Sequence, residues 1–293
     1  MISLVVATRN RVVELERLLS SLDAQAFKDF EVIVVDQNAD ERIVPVLQKH
    51  CALTIHHLRS APGLSRARNV GLRAARGEII SFPDDDCWYP NQLLVRVIEW
   101  FDVHPEYGAL FTGIRNPEGR LMAPKRAPGP GPCTRKNVLS CVVSCTGFLR
   151  RRVTDVVGFF NQKIGVGSAS RYQSGEDLDY FLRPLTHNFR VWYEPTLTVY
   201  HAELQSIERL RRTAYQYALG VGYVLRTHGY SWCCLSGFLL RSFGGAAISL
   251  CKADLPRAHV FLIRGIGQGW GYIFGPRELE SVVDSPTDNG SLV

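Results

Sequence analysis

The sequence predicts an α/β protein: a doubly wound, mostly parallel sheet with helices on both faces, followed by a C-terminal helical appendage. Three observations point there. Short apolar runs alternate with segments of helical spacing over residues 2–103. Polar residues suited to chemistry stand directly after those runs, and beyond His201 the composition turns basic and apolar. In open sheets of this kind ligands bind past the carboxyl ends of the strands, which is where Thr8-Arg9-Asn10, Asp36-Gln37-Asn38 and Asp84-Asp85-Asp86 fall.

Strands are expected at residues 2–7, 31–36, 53–58 and 78–82, each an alternating or continuous apolar run. The helix after the first strand has Val12, Val13, Leu15, Leu18, Leu19 and Leu22 at spacings that give one apolar face, and its counterparts follow at about 40–50, 65–76 and 91–103. Between 113 and 136 the chain is rich in Pro, Gly and basic residues, including Pro128-Gly129-Pro130-Gly131-Pro132, and predicts a mobile loop or hairpin excursion. Structure resumes over 138–149, with a short helix at 151–157 before Gly158 and a polar, glycine-containing loop over 165–173. A helix follows at 176–186, then a strand pair around 190–199 ending at His201. Beyond it, 206–228 reads as a long basic amphipathic helix and 232–250 as an apolar one interrupted by Arg241, Gly244 and Gly245.

That last stretch approaches the roughly 20 residues a membrane span requires, yet a central Arg costs about 2.5–3.5 kcal/mol on insertion scales. A helix lying in the interface, with Trp270 and Tyr272 anchoring the next segment, or one packed on the main domain, are the other two readings.

With 293 residues, 46% hydrophobic and 21% charged, the composition is that of a soluble globular protein and excludes disorder and a multi-span membrane protein. The net charge of +6 is unevenly placed. From 203 to 264, Arg209, Arg211, Arg212, Arg226, Arg241, Lys252, Arg257 and Arg264 are opposed only by Glu203, Glu208 and Asp254, a bias that suits an anionic membrane surface, phosphate-bearing substrates or a solvated basic face. Because these residues lack interleaved aromatic platforms, nucleic-acid binding is not indicated. The eight cysteines form no Cys-x-x-Cys pair, which argues against a zinc ribbon or thioredoxin-like site and for a reducing cytosol. Residues 1–7 read as a strand rather than a leader, so no secretion is implied.

The carboxylates Asp84, Asp85 and Asp86 carry the chemistry. Two like charges about 4 Å apart repel by about 4 kcal/mol at an effective dielectric near 20, so the triplet calls for solvent or a cation. Hard divalent ions, Mg²⁺ or Mn²⁺, take such oxygen ligands and keep positions open for phosphates; the plainer alternative is a solvated acidic turn. A second cluster, Gly175-Glu176-Asp177-Leu178-Asp179, lies at a helix start, where acids also compensate the helix dipole. Together, a cation-binding cluster and a separate carboxylate are what group transfer from a phosphorylated donor requires: the ion stabilises the departing diphosphate, and the other carboxylate takes a proton from the incoming hydroxyl.

Several segments, in order, resemble glycosyltransferase family 2, over residues 2–201: Val5-Val6-Ala7-Thr8-Arg9-Asn10-Arg11, Val34-Val35-Asp36-Gln37-Asn38-Ala39-Asp40, and Gly63-Leu64-Ser65-Arg66-Ala67-Arg68-Asn69-Val70-Gly71-Leu72. Asp84-Asp85-Asp86 is similar to the family's Asp-x-Asp motif, and Val157-Gly158-Phe159-Phe160-Asn161, Gly175–Asp179, Tyr193-Glu194-Pro195 and Val199-Tyr200-His201 complete the series. The resemblance implies a nucleotide-sugar-binding GT-A fold over 1–203, with a nucleotide part about 1–112 and an acceptor part about 113–203, followed by an amphipathic helical region over 204–293. It implies an inverting, metal-dependent transfer of one sugar from a nucleotide-diphosphate sugar, with a UDP-sugar favoured, to a saccharide or lipid-linked hydroxyl. Asp36 would accept from the nucleobase, Thr8 and Arg68 would line the nucleoside pocket, and Asp84 would meet the ribose, with Asp85 beside them. Asp86, with Asp84, would hold Mn²⁺ or Mg²⁺, and His201 is either a further ligand or a structural histidine. Asp177 would be the base, with Glu176 placing it or substituting for it. The basic, apolar C-terminal third suggests a place in cell-surface polysaccharide synthesis at the cytoplasmic face of the plasma membrane.

The sequence departs from the family at Arg9, where relatives often carry a tyrosine against the base, although a guanidinium can also stack. Pro83 stands where an aliphatic residue is usual and fits only a strand end. The Gln-x-x-Arg-Trp sequence of processive synthases is absent, which favours one sugar per encounter. Neither a Gly-x-Gly-x-x-Gly turn nor a P-loop follows the first strand, and Gly265-x-Gly267-x-Gly269-x-Gly271 has the wrong spacing for one. The rival readings are a sugar-nucleotide pyrophosphorylase, which would need a glycine in that first loop, and a non-catalytic metal- and nucleotide-binding module at a membrane surface.

Overall fold

A computed structural model of the chain describes residues 1–122, 129–202 and 207–277. Its contacts divide into two compact units, one holding residues 1–160 and 180–203, the other 161–179 and the helices from 204 onward.

In the first unit, β1 (Ile2–Thr8), β2 (Phe30–Asp36), β3 (Ile55–Arg59) and β4 (Ile79–Ser81) pair in parallel in the order β3-β2-β1-β4. They alternate with α1 (Val12–Asp23), α2 (Val44–Lys49), α3 (Leu64–Ala74) and α4 (Leu93–Val103). Every residue of β2 is buried, as expected of a central strand covered on both faces. Helix α3 rides close on the sheet: a Cβ at Gly71 would lie 2.3 Å from Val5 Cγ1, so only glycine admits this approach. On α1 the buried residues are Leu15, Leu18, Leu19 and Leu22, whereas Val13 is 79% exposed. Val13 lies two residues before Leu15, about 200° around the helix, and so falls off the face it was expected to share.

The second half of the sheet is mixed. After the two-residue strand β5 (Cys87–Trp88) come β6 (Tyr107–Arg115), β7 (Gly131–Pro132), β8 (Gly147–Arg150), α5 (Arg151–Val157), α6 (Glu176–Thr186) and β9 (Arg190–His201). β8 lies antiparallel between β4 and β6, β6 runs parallel to β9, and β5 and β7 are antiparallel to β9. The expected strand pair at 190–199 is therefore one strand. Its pairing with β6 skips from Glu194 to Thr198, a bulge at Pro195 that absorbs the break the sequence suggested. β6 itself was not foreseen; its continuous buried run from Gly108 to Ile114 carries no alternation to reveal it. The excursion expected over 113–136 contains a turn at 116–119, a bridge between Arg115 and Leu121, and β7; residues 123–128 of it lie outside the described residues.

The second unit contains α7 (Ile207–Thr227), α8 (Trp232–Cys251) and α9 (Leu255–Phe274). α9 packs against both of the others. A Cβ at Gly271 would lie 2.1 Å from Leu219 O, and one at Gly222 would lie 2.3 Å from Gln268 O, so α7 and α9 meet backbone to backbone. Two glycines of the series that fails as a dinucleotide fingerprint, Gly267 and Gly271, thus lie four residues apart on the helix-packing face, with Gly275 following at the C-cap. Ser231 and Asp254 cap α8 and α9, accepting from Cys234 N and Arg257 N. α9 was not predicted, because its four glycines after Arg264 read as breakers in isolation.

Candidate active site

The Asp triplet follows β4, as the apolar run before it requires, and β1 ends beside it. Asp84 and Asp86 join His201 in one cluster whose ligand atoms all lie within 4.8 Å of one another. His201 arrives through strand pairing: antiparallel β5 and β9 place it opposite Cys87, the residue after Asp86. Its Nε2 lies 3.0 Å from Asp86 Oδ1, and its Nδ1 2.7 Å from Ala202 O. Burial opposes the charged forms, but this pairing outweighs it on both sides, holding the Asp86 carboxyl below its ordinary range and the His201 imidazole above its own. Two carboxylate oxygens and an imidazole nitrogen fit Mn²⁺, and a narrower choice of oxygen ligands fits Mg²⁺.

Asp85 faces differently. It is buried, accepts from Thr8 Oγ1 at 2.8 Å and from Arg11 Nη1 at 2.7 Å, and burial pushes its carboxyl up to about 6 against the pull of Arg11. Arg11 Nη1 also lies 2.5 Å from Asp86 Oδ2. Asp84 is held from two sides, by Arg68 Nη2 at 3.1 Å and by Ser144 Oγ at 2.9 Å. Arg68 is buried with its guanidinium 5.3 Å from the Phe160 ring centre, in an aromatic group with Phe82 and Tyr180. Thr8, Asp84, Asp85, Asp86, Arg68 and His201 are thus brought into one network.

Asp36 ends β2 fully buried. Its Oδ1 accepts from the Asn38 backbone and side-chain nitrogens, at 2.8 and 2.7 Å, and its Oδ2 is 3.3 Å from His57 Nε2. Asn38 in turn accepts from Asn10 N at 2.7 Å, fixing the first loop to the second, with Asn10 in the left-handed region at φ 60°. Arg9, next to Asn10, is exposed.

Glu176 and Asp177 open α6 and belong to the second unit, Glu176 buried and Asp177 half-buried. There α7 fixes the turn that presents them. Ser174 Oγ donates to Tyr217 O at 3.0 Å, and Asp179 Oδ1 is 2.9 Å from His228 Nε2, both side chains fully buried. Gly175 has φ 95°, and its Cβ would stand 2.9 Å from Gly220 O, so glycine is needed there on both counts.

Sequence reasoning missed Arg11, Ser144 and His228 as site residues. Arg11 was signalled by its place in the first loop, whereas Ser144, in the 3-10 turn Ser144–Thr146, and His228, at the end of α7, carry no local sign of their partners.

Residues 3–157 match the sequence model of the family described as Glycosyl transferase family 2. The chain belongs to glycosyltransferase family 2. It is similar to an uncharacterized glycosyltransferase of Haemophilus influenzae, 36% identical over 102 residues, which cover 34% of this chain and 35% of that one. Over 211 residues it is 28% identical to the uncharacterized glycosyltransferase YwdF of Bacillus subtilis, covering 69% of this chain and 74% of the relative. A Campylobacter jejuni GalNAc(5)-diNAcBac-PP-undecaprenol beta-1,3-glucosyltransferase is 38% identical over 90 residues, 29% of each chain. Among solved structures, the mannosyltransferase PcManGT of Pyrobaculum calidifontis, in complex with GDP-Man and Mn²⁺, superposes with TM-score 0.63 at 16% identity, over 92% of this chain and 87% of that one. S. aureus TarS 1-349 in complex with UDP superposes with TM-score 0.60 at 19% identity, over 92% and 90%. The fold of this glycosyltransferase is accordingly GT-A.

Proposed function

We propose that this glycosyltransferase moves one sugar at a time, with inversion, from a nucleotide-diphosphate sugar, UDP favoured, to a hydroxyl of a saccharide or lipid-linked acceptor. We place this in cell-surface polysaccharide synthesis at the cytoplasmic face of the plasma membrane. The observation that carries the reading is the Asp84, Asp86 and His201 cluster at the end of β4. Mn²⁺ or Mg²⁺ held there would neutralise the diphosphate as it leaves. Around it, Arg11 and Ser144 keep Asp86 and Asp84 aligned, while Asp84 accepts from the ribose. Thr8 and Arg68 line the nucleoside pocket, and Asp85 holds Thr8 in place. Asp36 retains lone pairs beyond those used by Asn38 and His57 and accepts from the base, on which Arg9 stacks. Asp177 takes the proton of the acceptor hydroxyl, with Glu176 placing it. The hydroxyl oxygen then bonds to the anomeric carbon from the face opposite the breaking bond to the diphosphate, so no covalent intermediate forms.

Two relatives support the donor and acceptor classes: TarS has been solved with UDP-GlcNAc, and the Campylobacter jejuni enzyme is named for an undecaprenol-linked acceptor. The domain division at 203/204 is kept as the working boundary between transferase and appendage; residue 203 lies outside the described residues.

A panel of nucleotide sugars with Mn²⁺ tests the reading. Turnover is expected with at least one donor, and Asp177→Asn should lower it by about 10²–10⁴ with nucleotide affinity kept. Unchanged turnover would remove Asp177 as base. Nucleotide and Mn²⁺ binding without turnover of any donor would favour the non-catalytic module instead.

A further inference from the structure

Helices α8 and α9 pack largely through small and polar residues and leave most of their large apolar side chains outside. On α8 the buried residues are Leu235, Ser242, Ala246 and Ser249; on α9 they are Ala258, Val260, Gly265, Gly267, Gln268, Gly271 and Tyr272. Ser242 Oγ donates to Gln268 Oε1 at 3.0 Å between the two helices, so polar groups are satisfied within the pair. Most of the large apolar side chains point the other way. On α8, Leu240, Ala247 and Leu250 are exposed and recur at i, i+7 and i+10, a single helix face, with Phe243 partly exposed beside them and packed in part over Gly265 of α9. On α9, Leu255, Leu262, Ile266 and Ile273 are exposed along a line of i, i+7, i+11 and i+18. α8 is also long and apolar enough to cross a membrane by length and composition, and only 22% of its apolar window is buried. A helix pair in water places these two sets of residues the opposite way round.

We propose that the outward faces of α8 and α9 form a membrane-inserting surface that lies in the plane of an anionic bilayer, at the boundary of headgroups and acyl chains. This deepens the placement of the enzyme at a membrane and rests on it only for its purpose. Charge selects the occupant. Arg241, Lys252, Arg257 and Arg264 are exposed on or between these helices, while the one acid, Asp254, is engaged by Arg257 at 3.4 Å. A second copy of this chain would bring the same basic excess against it, whereas anionic headgroups neutralise it. Charge also decides between lying and crossing. Arg241 and Arg264 fall near the midpoints of twenty-residue helices, where a span would hold them at the bilayer centre. Lying flat, each can reach the headgroups along its own stem. Trp232 and Trp270, both exposed, are residue types that settle at that depth.

The test is flotation of the full chain with phosphatidylcholine vesicles, with and without about a third phosphatidylglycerol, a charge contrast large enough to resolve basic-patch binding. Binding is expected with the anionic vesicles and weak with the neutral ones. Leu240→Glu combined with Ile266→Glu should reduce it at least about tenfold, as two buried apolar side chains imply, with circular dichroism and donor turnover unchanged. In a Cys51→Ser background, variants keeping only Cys233 or only Cys251, exposed near opposite ends of α8, should both react with an impermeant thiol reagent added outside the vesicles. Absence of flotation, equal flotation of the double variant, or labelling of only one of the two cysteines would overturn the proposal. Self-association by light scattering without vesicle binding would assign the surface to a second copy. Flotation needs no donor, so its outcome is independent of whether sugar transfer is observed.

Discussion

Asp84, Asp85 and Asp86 are chemically identical, but their surroundings are not. Asp84 and Asp86 share the cluster with His201, while Asp85 is buried against Thr8 and Arg11 and its carboxyl is raised from 3.8 to about 6. A raised carboxyl means that the folded state binds the proton more tightly than the unfolded chain between these values. Stability therefore falls as pH rises from about 4 to 6, by up to about 3 kcal/mol for this group. Asp86 shifts in the opposite sense, its contribution lost as pH falls below the ordinary carboxylate range, whereas His201, raised like Asp85, loses its contribution as pH rises above the ordinary imidazole range. Urea unfolding with chelator present should show the fall in the wild-type chain and a smaller one in Asp85→Asn; equal slopes would show that Asp85 is ionised throughout. At this scale the sequence marked the triplet, because three consecutive carboxylates after an apolar run are visible locally. Ser144 was not marked, because an isolated polar residue in a loop declares no partner, and Arg11, although signalled by its place in the first loop, did not declare that Asp85 and Asp86 were its partners.

Among the elements, α7 and α9 depend on contact without side chains. A methyl group at Gly271 would meet Leu219 O at 2.1 Å, and the backbone of a helix cannot yield as a side chain does. Gly271→Ala should cost about 1–3 kcal/mol or more by overpacking. Gly244→Ala, on the exposed face of α8 with nothing within 4 Å, should stabilise by up to about 1 kcal/mol through helix propensity. Thermal unfolding of both variants checks the pair, and a neutral Gly271→Ala would show that the helices are not so closely packed. The strand and helix spacings of residues 2–103 were legible because periods of 2 and 3.6 are written in consecutive residues. α9 was not, since glycine reads as a breaker until the neighbouring helix supplies a reason for it. The turn carrying Glu176 and Asp177 was visible as an acidic cluster, yet its attachment to α7 through Ser174, Gly220 and His228 was not.

For the whole molecule, ligands that bind only the folded state raise its stability by mass action. Mn²⁺ and UDP together at about 100 times their dissociation constant should add about 2.7 kcal/mol, and chelation should remove the gain. His201→Ala should remove most of it at the same concentrations, because the cluster loses its nitrogen donor. Differential scanning calorimetry reads this directly; an unchanged shift in His201→Ala would make the histidine structural. If the two units melt separately, the shift belongs to the transition of the first, which contains the cluster.

By itself the sequence determined the alternation of strands and helices, the delivery of carboxylates to a strand end and the family to which the chain belongs, since all of these are carried by residues near one another in the chain. Only the tertiary structure decided that His201 meets Asp86, that Asp85 turns to Thr8 and Arg11, and that α8 and α9 pack through small and polar residues while leaving many large apolar ones exposed. Strand register and burial are set by which surfaces pack across long sequence separations, and no local pattern contains that information.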